Sequence, residues 1–214
     1  MDLHYYNLWS HDFMRIQMLS DLVNGKDAVS FASLEEALRR GIDQGLNCNY
    51  VVYDKSPDQN KLVGFRLTYA PGMWEPTKYH SPDKWKVDPI RVCRFNSVAV
   101  HPDYRLRGIG RQLMEKSIET AKQLGAKAGV THVWMESPDN SAYEYWARLG
   151  GELVRIWPNK WAEEYKERKV ICAADGENCA CTGAEMILYF RETDPEAKVN
   201  YIPIKGGPIG PYKG

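Results

Sequence analysis

The stretch that decides the fold runs from residue 97 to residue 111 and reads Ser97-Val98-Ala99-Val100-His101-Pro102-Asp103-Tyr104-Arg105-Leu106-Arg107-Gly108-Ile109-Gly110-Arg111. An apolar, strand-like run ends at a proline, and a short basic turn leads into an amphipathic helix predicted over 108–124. The first N–H groups of a helix have no partner within it and carry about half a positive charge. The two glycines leave those groups open, and the three arginines surround them. The stretch is therefore predicted to bind a multiply charged anion, most naturally a pyrophosphate.

Two other phosphate-binding motifs do not fit this stretch. A P-loop requires a lysine and a hydroxyl residue after its second glycine, where Arg111 and Gln112 stand. A dinucleotide fingerprint requires a third glycine, where Leu113 stands, and an acid about 20 residues later, where Val130 stands. The remaining alternative is an ordinary helix start with a solvated arginine cluster.

These residues resemble the cofactor motif of the GCN5-related N-acetyltransferases, the GNAT family. That motif is Arg or Gln, two residues, Gly, any residue, then Gly or Ala, and residues 105–110 fit it. Residues 137–142 and 146–150 resemble the second conserved block of the family, in the expected order and at the expected separation. Together the two blocks cover roughly residues 92 to 157. The resemblance implies an enzyme that transfers an acetyl group from acetyl-CoA to a primary amine.

The same resemblance implies which residues hold the cofactor. The backbone of the strand before the turn would pair with the pantetheine arm like an added strand, and the turn amides would hold the pyrophosphate. The neighbouring strands would splay apart to admit the thioester. The cofactor-binding residues expected on this basis are Val98, Val100, Arg105, Leu106, Arg107, Gly108, Ile109, Gly110, Arg111 and Asn140.

The catalytic residues depart from the family pattern. The strand stretch that often supplies a glutamate base has no carboxylate here, so Glu136 becomes the candidate base, with a structural role as the equal alternative. The family's usual acid is a tyrosine, and Trp146 occupies that position. Tyr145, adjacent to it, and Tyr143, one helical turn back, are the candidate acids, or else core aromatic residues. The departure keeps a non-catalytic CoA-binding or regulatory domain as an alternative function.

The alternation of strand and helix patterns predicts a mixed α/β (α+β) fold with a central, mostly antiparallel, splayed sheet flanked by helices. Strands are predicted at 49–53, 62–69, 92–100, 130–135, 152–157 and 186–190. Helices are predicted after Ser10, over 33–45 from a capping box at Ser33 to Glu36, and over 108–124 and 141–149. One domain is expected over 1–191, with a lid-like insertion at 70–90 and a Pro/Gly-rich tail at 192–214.

Composition narrows the partners. Lys plus Arg and Asp plus Glu both number 28, and this zero net charge argues against nucleic acid and leaves a small-molecule or protein amine as substrate. No run of about 18 apolar residues and no signal peptide is present, so no membrane partner and a cytoplasmic location are expected. Isoleucines in the tail could dock on a partner subunit, which leaves room for a homodimer.

A cysteine-rich loop spans residues 172–181. It holds Cys172, Cys179 and Cys181, whereas a structural zinc site needs four ligands, usually in CxxC-type pairs. A reduced, metal-free loop is therefore predicted, and a metal-binding interaction module is kept as a lesser alternative.

Overall fold

A seven-stranded sheet forms the centre of the protein in a computed structural model that describes residues 1–57, 60–137 and 141–190. Its inner strands are rich in β-branched and aromatic residues, which suit a pleated, buried surface. In chain order the strands are β1 (Leu3–Asn7), β2 (Ile42–Asp43), β3 (Leu46–Asn47), β4 (Tyr50–Asp54), β5 (Lys61–Tyr69), β6 (Val92–Val100), β7 (Ala128–Trp134), β8 (Glu152–Trp157) and β9 (Gly183–Tyr189). The sheet order is β1-β4-β5-β6-β7-β9-β8, and β2 and β3 form a separate hairpin.

Helices cover both faces of this sheet. They are α1 (Phe13–Asn24), α2 (Phe31–Gly41), α3 (Ile109–Gln123), α4 (Ser141–Arg148) and α5 (Ala162–Arg168). Successive residues of a strand point to opposite faces, so β5 contributes to both layers. Its Phe65 and Leu67 belong to the same apolar core as residues of α1 and α2. On the opposite face, Phe95 packs in one core with Met114 of α3 and Trp146 of α4.

The feature that positions the site is the separation of β6 from β7. These two strands are the one parallel pair in the described part of the chain, and they are in register only over Val92–Arg94 and Ala128–Val130. The hydroxyl of Thr131 donates to the carbonyl oxygen of Phe95 at 2.9 Å, and among the described residues this is the last hydrogen bond between β6 and β7. Opposite β5, the register of β6 shifts between Phe95 and Ser97, which marks a bulge that bends the strand. The predicted splay is confirmed, and it opens a cleft of about 900 Å³.

Most predicted elements are confirmed with small shifts at their ends, but the start and end of the second helix were wrong. Its N-cap is Ser30, whose hydroxyl accepts the N–H of Ser33 at 3.2 Å, while the Ser33 hydroxyl accepts the N–H of Ser30 at 2.8 Å. The helix ends at Gly41. A side chain would not fit there, because a Cβ would lie 2.0 Å from the side-chain nitrogen (Nδ2) of Asn49. β1 and α5 were not predicted.

Residues 70 to 90 contain no strand, as predicted, and pack firmly on one face of the sheet. The indole N–H of Trp74 donates to the carbonyl of Val92 at 2.8 Å. The fully buried carboxylate of Glu185 accepts the backbone N–H of Ser81 at 2.9 Å and the indole N–H of Trp85 at 3.0 Å. Trp74 and Trp85 therefore serve as packing, and four other residues of the segment line the cleft: Glu75, Thr77, Lys78 and Tyr79.

The predicted tail at 192–214 and the predicted cofactor ligand Asn140 lie outside the described residues. Within the described ranges, none of the helices has the length and apolar character needed to cross a membrane.

Candidate active site

The N-terminus of α3 presents an open set of backbone N–H groups. Gly108 is the N-cap, with a φ of 78° that favours glycine, and its carbonyl accepts the N–H of Gln112 at 3.0 Å. Within the described part of the chain, the N–H groups of residues 106–110 donate to no acceptor. A Cβ at Gly108 would meet nothing within 4 Å, and one at Gly110 would make only an ordinary contact. The geometry is that of an anion cradle.

Four side chains of the turn are exposed. Leu106 is fully exposed and has a positive φ of 60°, a strained conformation that is typical of functional sites. The guanidinium of Arg105 donates to the Val100 carbonyl at 3.4 Å, and that of Arg107 lies over the ring of Tyr104. Arg111 pairs with Glu115 at 2.7 Å, one helical turn further on. The arginines predicted to hold phosphates therefore surround the cradle.

A buried carboxylate holds the turn against the sheet. Asp54, only 4% exposed, accepts the hydroxyl of Tyr104 at 2.9 Å, the N–H of Asp2 at 3.0 Å and the hydroxyl of Ser56 at 2.7 Å. These hydrogen bonds, led by that from Asp2, keep the pKa of the Asp54 carboxyl far below its usual value. Asp54 was not among the predicted site residues, because Asp2 and Tyr104 lie far from it in the sequence.

The cleft begins where β6 leaves β7. Val98 lines the cleft, and Val100 packs beside Ile109 next to the α3 cradle. β6 therefore runs from the cleft to the cradle, with its β7 side unpaired beyond Phe95 in the described residues. This exposed strand edge is where an extended ligand can add as a further strand.

Arg66 is a second site residue that sequence reasoning missed. It is 1% exposed, and its Nε and Nη1 have no hydrogen-bond partner among the described residues. Its guanidinium lies 4.5 Å from the ring centre of Phe95 and 5.8 Å from that of Trp146, on the cleft wall. Burial lowers the pKa of Arg66, but an arginine still keeps its charge. The residue is thus a cation that faces the cleft without an ion pair to any described residue, and its place in a strand gave no signal of this.

The two predicted acids differ in their surroundings. Tyr145 donates its hydroxyl to the carbonyl of Gly110 at 3.0 Å, which places it beside the cradle. Burial raises the pKa of Tyr145, and the charge of Arg66 opposes this rise. Tyr143 packs against the same apolar core as Tyr145, and neither tyrosine is among the residues that line the cleft. The hydrogen bond of Tyr145 to Gly110 is therefore the contact that favours Tyr145 over Tyr143 as the candidate acid.

Glu136, the predicted base, is exposed and lies outside the residues that line the cleft. Both of its carboxylate oxygens accept the backbone N–H of Thr182 at 2.9 Å. This contact fixes the end of β7 to the start of β9. The geometry supports the structural alternative for Glu136 and brings no other predicted catalytic residue next to it.

Other titratable groups do line the cleft. Burial lowers the pKa of His132 to about 3, and its Nε2 lies 2.6 Å from the carbonyl oxygen of Tyr79. Since a carbonyl only accepts, Nε2 carries the proton of this neutral ring. Burial also lowers the pKa of Lys160 to about 8, with Arg94 and Lys78 adding to the effect and Glu164 opposing it. The cleft thus disfavours positive charge on the groups it encloses.

Comparison with known proteins agrees with this geometry. The model of the Acetyltransferase (GNAT) family matches residues 18–151. A relative, an uncharacterised N-acetyltransferase of Methanocaldococcus jannaschii, is 34% identical over 74 residues, which are 33% of this chain and 32% of that protein. The chain therefore matches only about a third of the length of that relative.

Solved structures share the fold. The NatC complex bound to Gag peptide and CoA superposes with a TM-score of 0.64 at 16% identity, covering 89% of this chain and 100% of that one. The ribosomal-protein-S18-alanine N-acetyltransferase of Escherichia coli superposes with a TM-score of 0.60 at 15% identity, covering 91% and 98%. With the open cradle at α3 and the splay of β6 from β7, the family match over more than half of the sequence shows that this chain belongs to the acetyltransferase (GNAT) family.

Proposed function

We propose that the protein transfers an acetyl group from acetyl-CoA to a primary amine of a small molecule or a protein, by direct attack of the amine on the thioester. The observation that carries this proposal is the unpaired edge of β6, which leads from the α3 cradle into the cleft. A pyrophosphate bound at the amides of residues 106–110 leaves the pantetheine arm to follow Val98 and Val100. The thioester then lies at the point where β6 and β7 diverge.

The amine must be neutral to attack, and the cleft itself supplies most of that requirement. An exposed lysine-like amine with a pKa of about 10.4 costs roughly 4–5 kcal/mol to deprotonate at pH 7, at 1.36 kcal/mol per unit. The amine of Lys160, on the cleft wall, has its pKa lowered to about 8. An acceptor amine in the same surroundings costs only about 1.4 kcal/mol. A weakly basic acceptor such as a water held by the cleft then suffices, and Glu136 is not needed.

Tyr145 is our candidate for the general acid that protonates the departing thiolate. Its hydroxyl is beside the cradle, and the charge of Arg66 favours loss of its proton. Arg66 also provides the positive charge that a thiolate requires in a low-dielectric site. Replacement Tyr145→Phe is expected to lower kcat by about 10²-fold or more with little change in the acetyl-CoA Kd, because general acid catalysis contributes typically 10²–10⁴-fold.

The charges of the cleft narrow the acceptor. Arg66, Arg94 and Lys160 line its inner part, and no carboxylate forms an ion pair with any of them in the described ranges. Each lies over aromatic rings instead. The five glutamates that also line the cleft are half-buried or exposed: Glu36, Glu75, Glu163, Glu164 and Glu167. An acceptor with neutral or anionic groups beside its amine is therefore favoured over a polyamine. Peptide N-termini and amino acids should be acetylated faster than spermidine-like amines, and the reverse order would contradict this preference.

The first experiment is a calorimetric titration of the protein with acetyl-CoA, repeated with Gly108→Glu, whose carboxylate would occupy the cradle. Two variants serve as controls. Gly108→Ala carries the same backbone strain without the charge. Gly45→Glu adds the same charge at another glycine with positive φ and open space around it. Binding that is lost in Gly108→Glu alone supports the cradle.

Release of CoA in the presence of amines then separates an enzyme from a non-catalytic CoA-binding domain. If the wild-type protein binds no acetyl-CoA, the proposal fails. If it binds acetyl-CoA but never turns it over, the regulatory alternative takes its place. The cytoplasmic location, the single domain over 1–191 and the homodimer stay predictions.

A further inference from the structure

Three buried cysteines and one carboxylate converge in the loop between α5 and β9. Cys172, Cys179 and Cys181 are 6%, 6% and 1% exposed, and all are free thiols. Asp175, an exposed residue, joins them, and one ligand atom from each of the four side chains lies within 4.8 Å of the others. The sulfur atoms of Cys172 and Cys181 are 3.5 Å apart, and that of Cys181 is 3.2 Å from Oδ2 of Asp175.

These separations are close to those of a tetrahedral zinc site. With Zn–S bonds of about 2.3 Å and Zn–O bonds of about 2.0 Å, tetrahedral angles set sulfurs roughly 3.8 Å apart and a sulfur and an oxygen roughly 3.5 Å apart. The observed distances of 3.5 and 3.2 Å are slightly shorter. Since all four ligand atoms lie within 4.8 Å of one another, side-chain shifts of about 1 Å bring them to these tetrahedral separations.

The loop is already folded around this point. Cys172 and Gly176 exchange two backbone hydrogen bonds, of 2.8 and 3.0 Å, which close the turn between them. The N–H of Ala180 donates to Oδ2 of Asp175 at 2.9 Å, which aims that carboxylate at the thiols. Preformed ligands lose less conformational entropy on binding an ion than ligands in an open chain do.

A second observation points to thiolates at this place. The indole N–H of Trp134 is buried and makes no hydrogen bond of standard geometry within the described part of the structure, and the sulfur of Cys181 is the acceptor that it faces. Trp134 packs against the three cysteines together with Trp161 and Tyr165. A buried N–H without an acceptor is costly, and a metal-bound thiolate is a better acceptor than a neutral thiol. Aromatic residues and an N–H donor around the sulfurs are the surroundings that a structural metal site uses.

We propose that Cys172, Asp175, Cys179 and Cys181 bind one Zn²⁺ ion in a closed structural site. The sequence prediction of a metal-free loop depended on the lack of a fourth ligand, and Asp175 supplies that ligand from a position that no cysteine spacing indicates. Three thiolates favour Zn²⁺ over Mg²⁺ or Ca²⁺, which prefer oxygen. Four protein ligands leave no open position for catalysis.

The ion would fix one wall of the cleft. The three cysteines line the cleft, and the loop that carries them contacts the connection between α1 and α2 on the other side. The N–H of Ile171 donates to the Lys26 carbonyl at 3.3 Å. The guanidinium of Arg168 donates to the carbonyls of Asp27 and Ala28, at 3.0 and 3.2 Å. Zinc would thus hold together the segments between which an acceptor enters.

The test is metal analysis of the untagged full chain, produced with zinc in the medium and kept reduced during purification. We expect one zinc per chain in the wild type and its loss in Cys181→Ser. Cys48→Ala, a buried cysteine far from the loop, is the matched control and should keep the zinc. Chelation should lower the melting temperature by roughly 5–10 °C, the shift expected when a ligand at about 100 times its Kd is removed. Adding zinc back should reverse it.

A second variant guards against misfolding of Cys181→Ser. Residue 175 is exposed, and Asp175→Asn keeps an oxygen that accepts the N–H of Ala180, so this variant should fold. Its affinity for zinc should nevertheless be lower by roughly tenfold or more. Cobalt substituted into the wild type should give a thiolate-to-metal charge-transfer band. Wild-type protein without bound metal and with no change in thiol reactivity on zinc addition would overturn the proposal. Stoichiometric iron or copper in place of zinc would overturn the choice of ion.

Discussion

Replacing the buried Arg66 by methionine should make the protein more stable and less active. The guanidinium is 1% exposed, and two of its nitrogens have no partner among the described residues. Replacing buried ionic groups by apolar side chains of similar size often stabilises a protein by about 1–4 kcal/mol. Methionine keeps the length of the side chain and its contact with Phe95 and Trp146. The lost interaction with these rings is worth about 1–2 kcal/mol and partly offsets the gain.

We therefore expect Arg66→Met to raise the free energy of unfolding by about 1–2 kcal/mol. At roughly 2–4 °C per kcal/mol for a chain of this size, the melting temperature should rise by about 2–8 °C. Hydrogen bonds to a charged group contribute about 1.5–3 kcal/mol. If Arg66 donates such hydrogen bonds to the thioester only as negative charge develops on it, kcat of Arg66→Met should fall by roughly 10- to 150-fold.

The assays are urea unfolding of the protein without ligand and the rate of CoA release with an amine found by screening. Arg155→Met is the matched control, because Arg155 is exposed and lies 4.1 Å from the ring centre of Trp157 on the far edge of the sheet. It should change stability by no more than about 0.5 kcal/mol and leave activity unchanged. A loss of stability above about 2 kcal/mol in Arg66→Met, or full activity, would refute the reasoning.

Two further predictions concern the buried polar groups of the substrate side. His80 and His132 are neutral because burial lowers the pKa of each, to about 2 and about 3, so the unfolded chain alone gains their protons below its pKa of about 6.5. The free energy of unfolding should therefore fall by about 2 kcal/mol per histidine between pH 6.5 and 5.0, measured by urea unfolding at both pH values. In His132→Gln about half of the total loss from the two histidines should disappear. An unchanged loss would contradict the assignment. Glu185→Ala should cost about 3–5 kcal/mol in the same assay, because it leaves the N–H groups of Ser81 and Trp85 unpaired, whereas Glu185→Gln, which keeps an acceptor, should cost less; equal losses would argue against these hydrogen bonds.

Local patterns in the sequence predicted the open N-terminus of α3 well. The strand, turn and glycines of residues 97–111 are neighbours in the chain, so their spacing alone indicated an open helix N-terminus. The same held for most strands and helices, whose periodicity depends on nearby residues. The second helix shows the limit of such patterns. Ser30 and Ser33 cap each other, so the helix begins at Phe31, two residues before the start that the Ser33-to-Glu36 pattern suggested.

The substrate side could not be predicted in this way, because distant contacts decide it. Glu136 matched a plausible base by position, but the N–H of Thr182, which is 46 residues away, holds its carboxylate outside the cleft. Arg66 stood in an apolar strand without any motif, and only the packing of Phe95 and Trp146 over it showed an enclosed, unpaired charge. Asp175 became a candidate ligand only when the loop folded it onto the three cysteines.

The sequence by itself determined the family, the fold class and the open N-terminus of α3, since each is set by short-range periodicity or by the conformation of a few adjacent residues. The tertiary structure alone decided which polar groups face the cleft and which are used for packing. The physical reason is that the charge state and role of a side chain depend on burial and on partners brought together by the fold. Tyr145 and Tyr143, two residues apart on one helix, pack against the same core, and the hydrogen bond of Tyr145 to the distant Gly110 carbonyl distinguishes them.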